Sequence, residues 1–154
     1  MTGYLVTSGL QHVAVRAVNY ELRITQISFW STSVSASVMS TFRHEGSTLS
    51  GGGAVDVAPL YEGAPAASAT ANAGASLTFS GTNKILGSTI IGRGALTQSI
   101  GYVNVVTIQG SSAQIVTPLT LTVAPGSVLH VSGQLSTGIF TKIFFEEIRL
   151  PGSY

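Results

Sequence analysis

Residues 117–131 have the sequence TPLTLTVAPGSVLHV, and this stretch decides the fold class. Three apolar residues alternate with threonines up to position 123, and this period of two is typical of a strand with one buried face. Pro118 stands at the start of that strand, where its missing N–H removes no central ladder bond. Pro125 and Gly126 then favour a type II turn, because proline presets φ and glycine accepts a positive φ. The stretch therefore predicts a strand, a tight turn and a second strand.

The same alternation recurs along most of the chain, and no segment shows helical periodicity over three turns. One run, 22–30, is apolar on both faces near its end, which favours a place in the middle of a sandwich or at an interface. We therefore predict an all-β fold, an antiparallel β-sandwich of jelly-roll type, with eight or nine strands in a single domain over 1–154. The alternating runs are 12–18, 22–30, 31–42, 83–91, 101–109, 117–123, 128–131 and 139–150.

Two segments lie outside this pattern. Residues 1–10 are a candidate N-terminal arm, and residues 44–76, rich in Gly, Ala, Ser and Pro, predict one long loop or arm that contains a short strand. The alanine-rich run 64–75 within that loop is compatible with one helical turn or with an extended arm. Because loops of this length are uncommon in compact domains, we expect this one to have a function or a partner that orders it.

Charge is scarce in a chain that is rich in apolar and hydroxyl side chains. Of the 154 residues, 44% are hydrophobic and 8% are charged, against about 25% charged in typical soluble domains. The chain has 20 Ser and 17 Thr, and its net charge is +1. This composition excludes disorder driven by charge repulsion, and it lacks the basic surface that binds nucleic acid or an anionic membrane. Without cysteine, there is no disulfide, thiolate nucleophile or Cys-ligated zinc.

The first residues do not have the features of an export signal. Residues 1–10 contain neither a cationic start nor an unbroken apolar run. The longest apolar stretches, such as 143–145, are far shorter than the roughly 18 residues that predict a membrane-spanning helix. We therefore expect synthesis in a host cytoplasm and no membrane partner.

The acidic residues offer little material for catalysis. Glu146 and Glu147 are adjacent, and adjacent residues of a strand face opposite sides, so this pair cannot flank one glycosidic bond. We expect both to be solvated or interface charges. The chain also lacks the Gly-x-Ser-x-Gly elbow of many serine hydrolases. We predict no catalytic residue, and a hydrolase is the least favoured class of function. The candidate carboxylates are Glu21, Glu45, Asp56, Glu62, Glu146 and Glu147.

His12, His44 and His130 lie far apart in the sequence and have no short metal-ligand spacing. Ordinary hydrogen-bonded histidines are therefore favoured, and the alternative is a metal ion on a threefold axis, held by one histidine from each subunit. The glycine runs 51–53 and 92–94 lack the lysine and the strand–loop–helix context of a phosphate-binding loop, so they predict turns. We predict no metal and no cofactor.

Aromatic residues suggest a second kind of binding site. Trp30, Phe29 and the five tyrosines could form a platform on which a sugar ring stacks. Trp30 ends a strongly apolar run, however, and Asn and Asp together number only five, which leaves few planar polar partners for a sugar. A position in the core or at an interface is therefore favoured for Trp30.

The missing charges are concentrated in one part of the chain. The 48 residues from Gly94 to Thr141 contain no Lys, Arg, Asp or Glu, although several predicted strands lie there. Monomeric β-proteins normally place charges, especially lysine, on exposed edges to prevent association. We therefore expect a homo-oligomer, with a trimer favoured, in which copies of the chain cover this surface. The alternative is a monomer with a Ser/Thr-rich surface.

Four stretches resemble small jelly-roll virion proteins of tailed bacteriophages. They are GGGAVDVAPL at 51–60, PAASATA at 65–71, VAPGSVLHV at 123–131 and FFEEI at 144–148, within a resemblance that covers about residues 20–150. The resemblance implies a capsid decoration or cement protein, often a trimer, that binds the major capsid protein of the virion where capsomers meet. It implies no catalytic residues.

The resemblance also leaves an alternative function. A module of the same fold in a tail or head fibre would bind a host glycan or a host surface protein. The absence of a long coiled coil or repeated stalk in this sequence favours the shell-bound protein over the fibre module.

Overall fold

A computed structural model describes residues 2–31, 37–91, 99–101, 106–108, 113–133 and 139–149. These described residues form fifteen strands and no helix. The strands are β1 (Thr2–Ser8), β2 (His12–Arg16), β3 (Glu21–Ser31), β4 (Ser37–Glu45), β5 (Leu49–Ser50), β6 (Gly53–Val55), β7 (Ala58–Pro59), β8 (Thr70–Ala73), β9 (Thr78–Phe79), β10 (Thr82–Ile91), β11 (Ser99–Gly101), β12 (Val106–Ile108), β13 (Ala113–Val123), β14 (Val128–Gly133) and β15 (Ile139–Ile148).

Two antiparallel sheets pack face to face, which confirms the predicted all-β sandwich. Sheet A has the strand order β12-β13-β3-β15-β1-β7, and sheet B has the order β11-β10-β4-β14-β2-β8-β6. Strands β5 and β9 form a separate two-stranded sheet, which we call sheet C. The first long strand lies beside the last, β1 beside β15, and β2 lies beside β14. The two ends of the chain are therefore joined through many long-range backbone hydrogen bonds.

Both large sheets contribute apolar side chains to one core between them. The rings of Tyr4 and Phe145 pack with their centroids 5.6 Å apart, and both side chains are fully buried. Burial of this kind supplies most of the favourable free energy of folding. Sheet A contributes Tyr4, Val6, Leu22, Ile24, Ile27, Phe29, Val123, Ile143 and Phe145, and sheet B contributes Val13, Val15, Met39, Ala71, Ala73, Leu86, Leu129 and Val131.

The turn predicted between residues 123 and 128 is present. Gly126 has a φ of 81°, and the Ser127 N–H donates to the Ala124 carbonyl at 3.0 Å. A positive φ at the third position and this hydrogen bond are the features of a type II turn. The turn joins β13 in sheet A to β14 in sheet B, so it carries the chain across the sandwich.

A β-bulge in β3 changes the interpretation of the run 22–30. Phe144 pairs with Gln26 and Phe145 pairs with Ile24, which leaves Thr25 as the extra residue. The bulge shifts the alternation by one position, so Ile24 and Ile27 both face the core. The strict alternation expected through this run is therefore corrected: Ile24 and Ile27 share one face across the bulge. Near the end of the run, Phe29 faces the core, and the side chain of Trp30 lies outside the described residues.

Residues 2–8, expected as part of a candidate N-terminal arm, form β1 inside sheet A between β15 and β7. Tyr4 and Val6 are fully buried there. Alternating apolar residues paired over seven positions with β15 make this segment part of the sandwich instead of an arm.

The expected long loop 44–76 contains more order than one short strand. It contains four strands, β5, β6, β7 and β8. Strand β5 belongs to sheet C, and β8 pairs with β2. Ala69, Ala71 and Ala73 are buried in the core because alanine at every second position of an extended strand fits closely against β2. The alanine-rich run 64–75 thus forms no helical turn, and its second half is a strand.

The remaining strand predictions agree with the structure in part. The runs 83–91 and 128–131 lie within β10 and β14, whereas the predicted strands 12–18 and 139–150 end earlier, at Arg16 and Ile148, and Ser31 belongs to β3. The single strand predicted over 101–109 is wrong, because Gly101 ends β11 in sheet B and residues 106–108 form β12 in sheet A. Residues 32–36 of the predicted strand 31–42, residues 102–105 and 109 of the predicted strand 101–109, and the glycine run 92–94 lie outside the described residues. No helix long and apolar enough to cross a bilayer occurs among the residues that are described.

Candidate functional site

The three histidines of the chain meet on the outer face of sheet B. His12, His130 and His44 lie on the adjacent strands β2, β14 and β4. Each alternates with residues that face the core, such as Val13 and Leu129, so the imidazoles point away from it. Strand register brings them together, because His130 pairs directly with Ala14 and Phe42 and lies diagonally between the other two histidines. We call this group the histidine row.

Hydrogen bonds connect the three rings in line. The Nδ1 atom of His12 is 3.3 Å from Nε2 of His130, and Nδ1 of His130 is 3.3 Å from Nε2 of His44. A neutral imidazole carries one N–H donor and one acceptor nitrogen. Three neutral rings therefore satisfy both hydrogen bonds if every N–H points the same way along the row.

Phenylalanine rings cover the histidine row. Phe79 of sheet C stacks on His44 with ring centroids 4.0 Å apart and an interplanar angle of 2°, and it lies 4.5 Å from the ring of His130. Phe42 packs beside His130 with centroids 5.4 Å apart. As a result, only 6% of His44 and 9% of His130 remain exposed.

Burial makes the neutral form the stable form of these imidazoles. The pKa of His130 falls to about 3, first because burial disfavours the charged ring and then because His12 and His44 repel a proton on it. Burial also lowers the pKa of His12 and of His44 below the usual value for histidine. At neutral pH, the histidine row is therefore uncharged.

The arrangement in line does not suit a shared metal ion. Both nitrogens of His130 are already directed at its two neighbours, whereas ligands of one ion must converge on one point. Among the described residues, no group of three or more His, Asp or Glu side chains is placed to hold a metal. The alternative of a metal ion on a threefold axis, held by one histidine from each subunit, concerns contacts between chains and stays a prediction.

Glu147 anchors a loop to the sandwich and is fully buried. Its Oε1 accepts hydrogen bonds from the backbone N–H of Ser68 at 2.7 Å, the Ser68 hydroxyl at 2.9 Å and the N–H of Ala69 at 2.9 Å. Its Oε2 accepts one from Arg149 at 2.9 Å, and the Arg149 guanidinium lies 4.8 Å from the ring centre of Tyr20. Glu147 is therefore buried within the chain, and the expectation of a solvated or interface charge is wrong at this residue.

Glu146 behaves differently from its neighbour. It faces the opposite side of β15 and pairs with Arg23, as the alternation predicts. About a quarter of its side chain and more than two fifths of that of Arg23 are exposed, so this ion pair is largely solvated. The two glutamates share no substrate-sized space, because one lies on each side of the sheet.

Other candidate residues also have structural partners or lie in solvent. Glu45 pairs with Lys84 and Arg43, both at 3.1 Å, and these partners lower its pKa. An open cleft of about 330 Å³ beside this group is lined by Arg43, Glu45, Thr122, Ala124 and Ser127. Its one arginine and one carboxylate neutralise each other, which leaves no free charge to recognise a ligand.

One of the aromatic residues suggested for a sugar-stacking platform, Phe29, is buried. Phe29 is 1% exposed and belongs to the core, so it is unavailable for stacking on a ligand. Tyr4 is buried as well, whereas Tyr61 is 65% exposed. The side chain of Trp30 lies outside the described residues.

One lateral edge of the sandwich is formed by strands without charged residues. Strand β10 of sheet B packs across β13 of sheet A, and β11 and β12 lie outside them. Of the strands that the structure describes, β11 and β12 are therefore the outermost, and they lie on the same side of the sandwich. Their residues, 99–101 and 106–108, belong to the segment from Gly94 to Thr141 that has no Lys, Arg, Asp or Glu. We call β11 and β12 the uncharged edge.

The opposite lateral edge is formed by β6 and β7 and has different chemistry. Strand β7 ends in Pro59, which has no N–H to offer to a further strand. Asp56 and Glu62, both exposed, lie in the chain beside these strands. Proline and charge are the features by which natural sheets prevent edge pairing. We call β6 and β7 the protected edge.

Sequence reasoning missed both the histidine row and the Glu147 anchor. The row depends on the register of three strands that are distant in sequence, although the off-core position of His12 was visible from the alternation of residues 12–18. For Glu147, the alternation of β15 already put it on the same face as Ile143 and Phe145. The signal was present, but the general rule that charges are solvated outweighed it.

The chain matches no protein-family model, and comparisons with curated proteins and with solved structures also give no match.

Proposed function

We propose that this chain is a non-catalytic structural protein that self-associates and that decorates the head of a tailed bacteriophage. The observation that carries the self-association is the contrast between the two edges of the sandwich, and the role on a phage head rests on the sequence resemblance. The protected edge has a proline and flanking carboxylates, and the uncharged edge lies in a segment of 48 residues without a charge. A chain that protects one edge and not the other favours association through the unprotected one.

Edge-to-edge pairing also explains the scarcity of charge elsewhere. An added strand gains main-chain hydrogen bonds, and the abundant Ser and Thr add side-chain hydrogen bonds at low entropic cost. Charged side chains at such a junction would lose hydration without gaining partners. A homotrimer, with β11 and β12 of each copy at the interfaces, is the assembly that we favour.

The chemistry of the described sites supports a role without catalysis. The buried carboxylate of Glu147 and the neutral histidine row are both occupied by structural hydrogen bonds. The alternation of long strands between the sheets, with β1 next to β15 and β2 next to β14, supports the jelly-roll topology that the resemblance implies. On that basis, the oligomer would bind the major capsid protein and link neighbouring capsomers.

The position of the protein in the virion tests this function. A density map of the particle should place the oligomers on the faces of the head, where capsomers meet. Density at the tail tip or at the end of a fibre would instead indicate the receptor-binding alternative. Purified particles that contain no copy of the chain would contradict both functions.

A further inference from the structure

We propose that the histidine row and Phe79 form an acid-sensitive latch, which holds sheet C against the outer face of sheet B at neutral pH and releases it when the row takes up protons. The latch is a conformational device of the fold itself. It goes beyond the proposed function and does not depend on it.

Sheet C is continuous with sheet B at both ends, with β4 and β10 at one end and with β6 and β8 at the other. Between these ends, rings hold it against the outer face of sheet B. Its strands β5 and β9 pair with each other and with no strand of the two large sheets. Phe79 lies parallel to His44 at 4.0 Å and contacts His130 at 4.5 Å.

At the base of sheet C, the Ser47 N–H donates to the Gly126 carbonyl at 2.8 Å. At the other end, the side-chain amide of Asn72 on β8 donates to the Gly51 carbonyl at 2.9 Å. The ring stack therefore decides whether the part of sheet C between these two attachments stays closed on the histidine row.

In the closed state, the hydrogen bonds of the histidine row are compatible with one added proton at most. If His130 becomes charged, both of its nitrogens donate, and His12 and His44 can each present an acceptor nitrogen to it. A second proton on the row forces two N–H groups to face each other across a 3.3 Å junction. Once Phe79 moves away, all three imidazoles are solvated and can charge independently, so acid favours the open state.

Among the residues that the structure describes, no negative charge near the row compensates for added protons. Arg16 shares the outward face of β2, where a positive charge opposes protonation of the imidazoles. On β4, Arg43 and Glu45 alternate with His44 and lie on the opposite face, where Glu45 pairs with Lys84 of β10. The residues of β8, β10 and sheet C nearest the row are uncharged: Asn72, Asn83, Leu49, Ser50, Thr78 and Phe79.

One interaction acts in the opposite direction. A protonated His44 gains cation–π attraction from the stacked ring of Phe79. His130 lies 4.5 Å from the same ring and gains the same attraction. Burial, and then repulsion by His12 and His44, outweigh it at His130 and lower its pKa to about 3. His130 is therefore the group that opens the latch.

The size of the effect follows from proton linkage at His130. Its pKa is about 3 in the closed state and about 6.5 when the ring is solvated. Between pH 7.5 and pH 5.0, the opening equilibrium constant should therefore rise about 30-fold from this residue alone.

Amide hydrogen exchange measures this opening directly. Gly46 donates its N–H to Ser127 Oγ, and Ser47 donates its N–H to the Gly126 carbonyl, so these two amides report on the attachment of sheet C to the turn before β14. After division by the intrinsic exchange rate at each pH, their exchange should be about 30-fold faster at pH 5.0 than at pH 7.5. The amides of β15 in the core should keep their protection and serve as the internal control.

A His130→Phe variant keeps a flat ring at the centre of the row but cannot take up a proton. In this variant, the acceleration in acid should fall at least fivefold. Equal acceleration in the variant and the natural chain, or unchanged or slower exchange of the Gly46 and Ser47 amides in acid, overturns the proposal.

A second measurement needs no substitution in the row. In the natural chain, NMR titration of the imidazole of His130 should give a midpoint below pH 5, and the ring signals of Phe79 should change with it. A midpoint near 6.5 with unchanged Phe79 signals overturns the proposal whether or not the variant folds.

Discussion

Glu147 is a charged residue whose burial serves the fold. Its carboxylate accepts hydrogen bonds from Ser68, Ala69 and Arg149, and none of its side chain is exposed. We expect Glu147→Ala to lower the free energy of unfolding by about 3 kcal/mol, because it leaves two backbone N–H groups and a guanidinium without their acceptor. Urea denaturation of the purified protein measures this loss.

Glu146→Ala is the matched control at the neighbouring position. The pair between Glu146 and Arg23 is partly exposed on both sides, so its removal should cost less than about 1 kcal/mol. Equal losses for the two variants would contradict the assignment of Glu147 as the anchor of the loop.

His130 gives the stability a pH dependence with a definite sign. Its pKa is about 3 in the folded chain and about 6.5 in the unfolded chain, so the unfolded state binds the proton first as the pH falls. The stabilisation is fully present above pH 6.5 and is lost progressively between pH 6.5 and pH 3. From pH 7 to pH 5, the loss should be about 2 kcal/mol.

The free energy of unfolding, measured at several pH values between 7 and 5, tests this expectation. Most carboxylates stay ionised in that window, which isolates the histidines. The His130→Phe variant should show a flatter profile. A natural chain whose stability is constant or rises from pH 7 to pH 5 would exclude a buried neutral His130.

At the scale of elements, the connection between β5 and β6 depends on Gly51. This residue has a φ of 79°, and a Cβ atom there would collide with the carbonyl oxygen of Ser76. Gly51→Ala should therefore destabilise the chain by about 2 kcal/mol, through backbone strain and through displacement of the 76–77 backbone.

Gly53→Ala is the control for this position. Gly53 has no positive φ, and a Cβ there meets no atom within 4 Å, so its effect should stay within about 0.5 kcal/mol. Thermal unfolding of the two variants separates them. Equal melting temperatures would show that the connection tolerates a side chain at position 51.

Most of the long strands were predictable from the sequence because their alternation is regular. In the run 117–131, local φ preferences and a period of two predict the turn and the strands on either side of it. The start of the first strand was predicted wrongly: β13 begins at Ala113, and Pro118 lies inside it, at a register shift against β3. The face assignment of 22–30 failed, since the bulge at Thr25 is imposed by pairing with β13 and β15. Strand β8 was missed for a related reason: alanines carry a weak strand signal, and only the contact with β2 makes them a strand.

The sites were less predictable than the strands. The histidine row requires the register between β2, β14 and β4, which a single sequence does not contain. The cover by Phe79 requires in addition the position of sheet C on sheet B. Local patterns specify which face a residue occupies, whereas its neighbours on that face are set by long-range pairing.

At the scale of the whole molecule, the two lateral edges predict where copies of the chain meet. A lysine on the uncharged edge should block strand addition, because pairing would desolvate its charge. We expect Thr107→Lys on β12 to weaken self-association at least tenfold. Ala54→Lys on the protected edge, where residue 54 is exposed, should leave self-association unchanged. Gel filtration over a range of concentrations compares the two variants.

If the effects of the two substitutions are reversed, the interface lies at the protected edge instead. If Ala54→Lys dissociates the oligomer and Thr107→Lys does not, the copies associate through β6 and β7. The contrast between the edges would then have no part in assembly.

Self-association of the natural chain is the central claim, and light scattering coupled to gel filtration tests it most directly. At micromolar concentration, we predict a stable species of about three times the 15.8 kDa mass of one chain. A stable monomer of 15.8 kDa under the same conditions would contradict the account, because the uncharged edge would then be exposed to solvent without a partner.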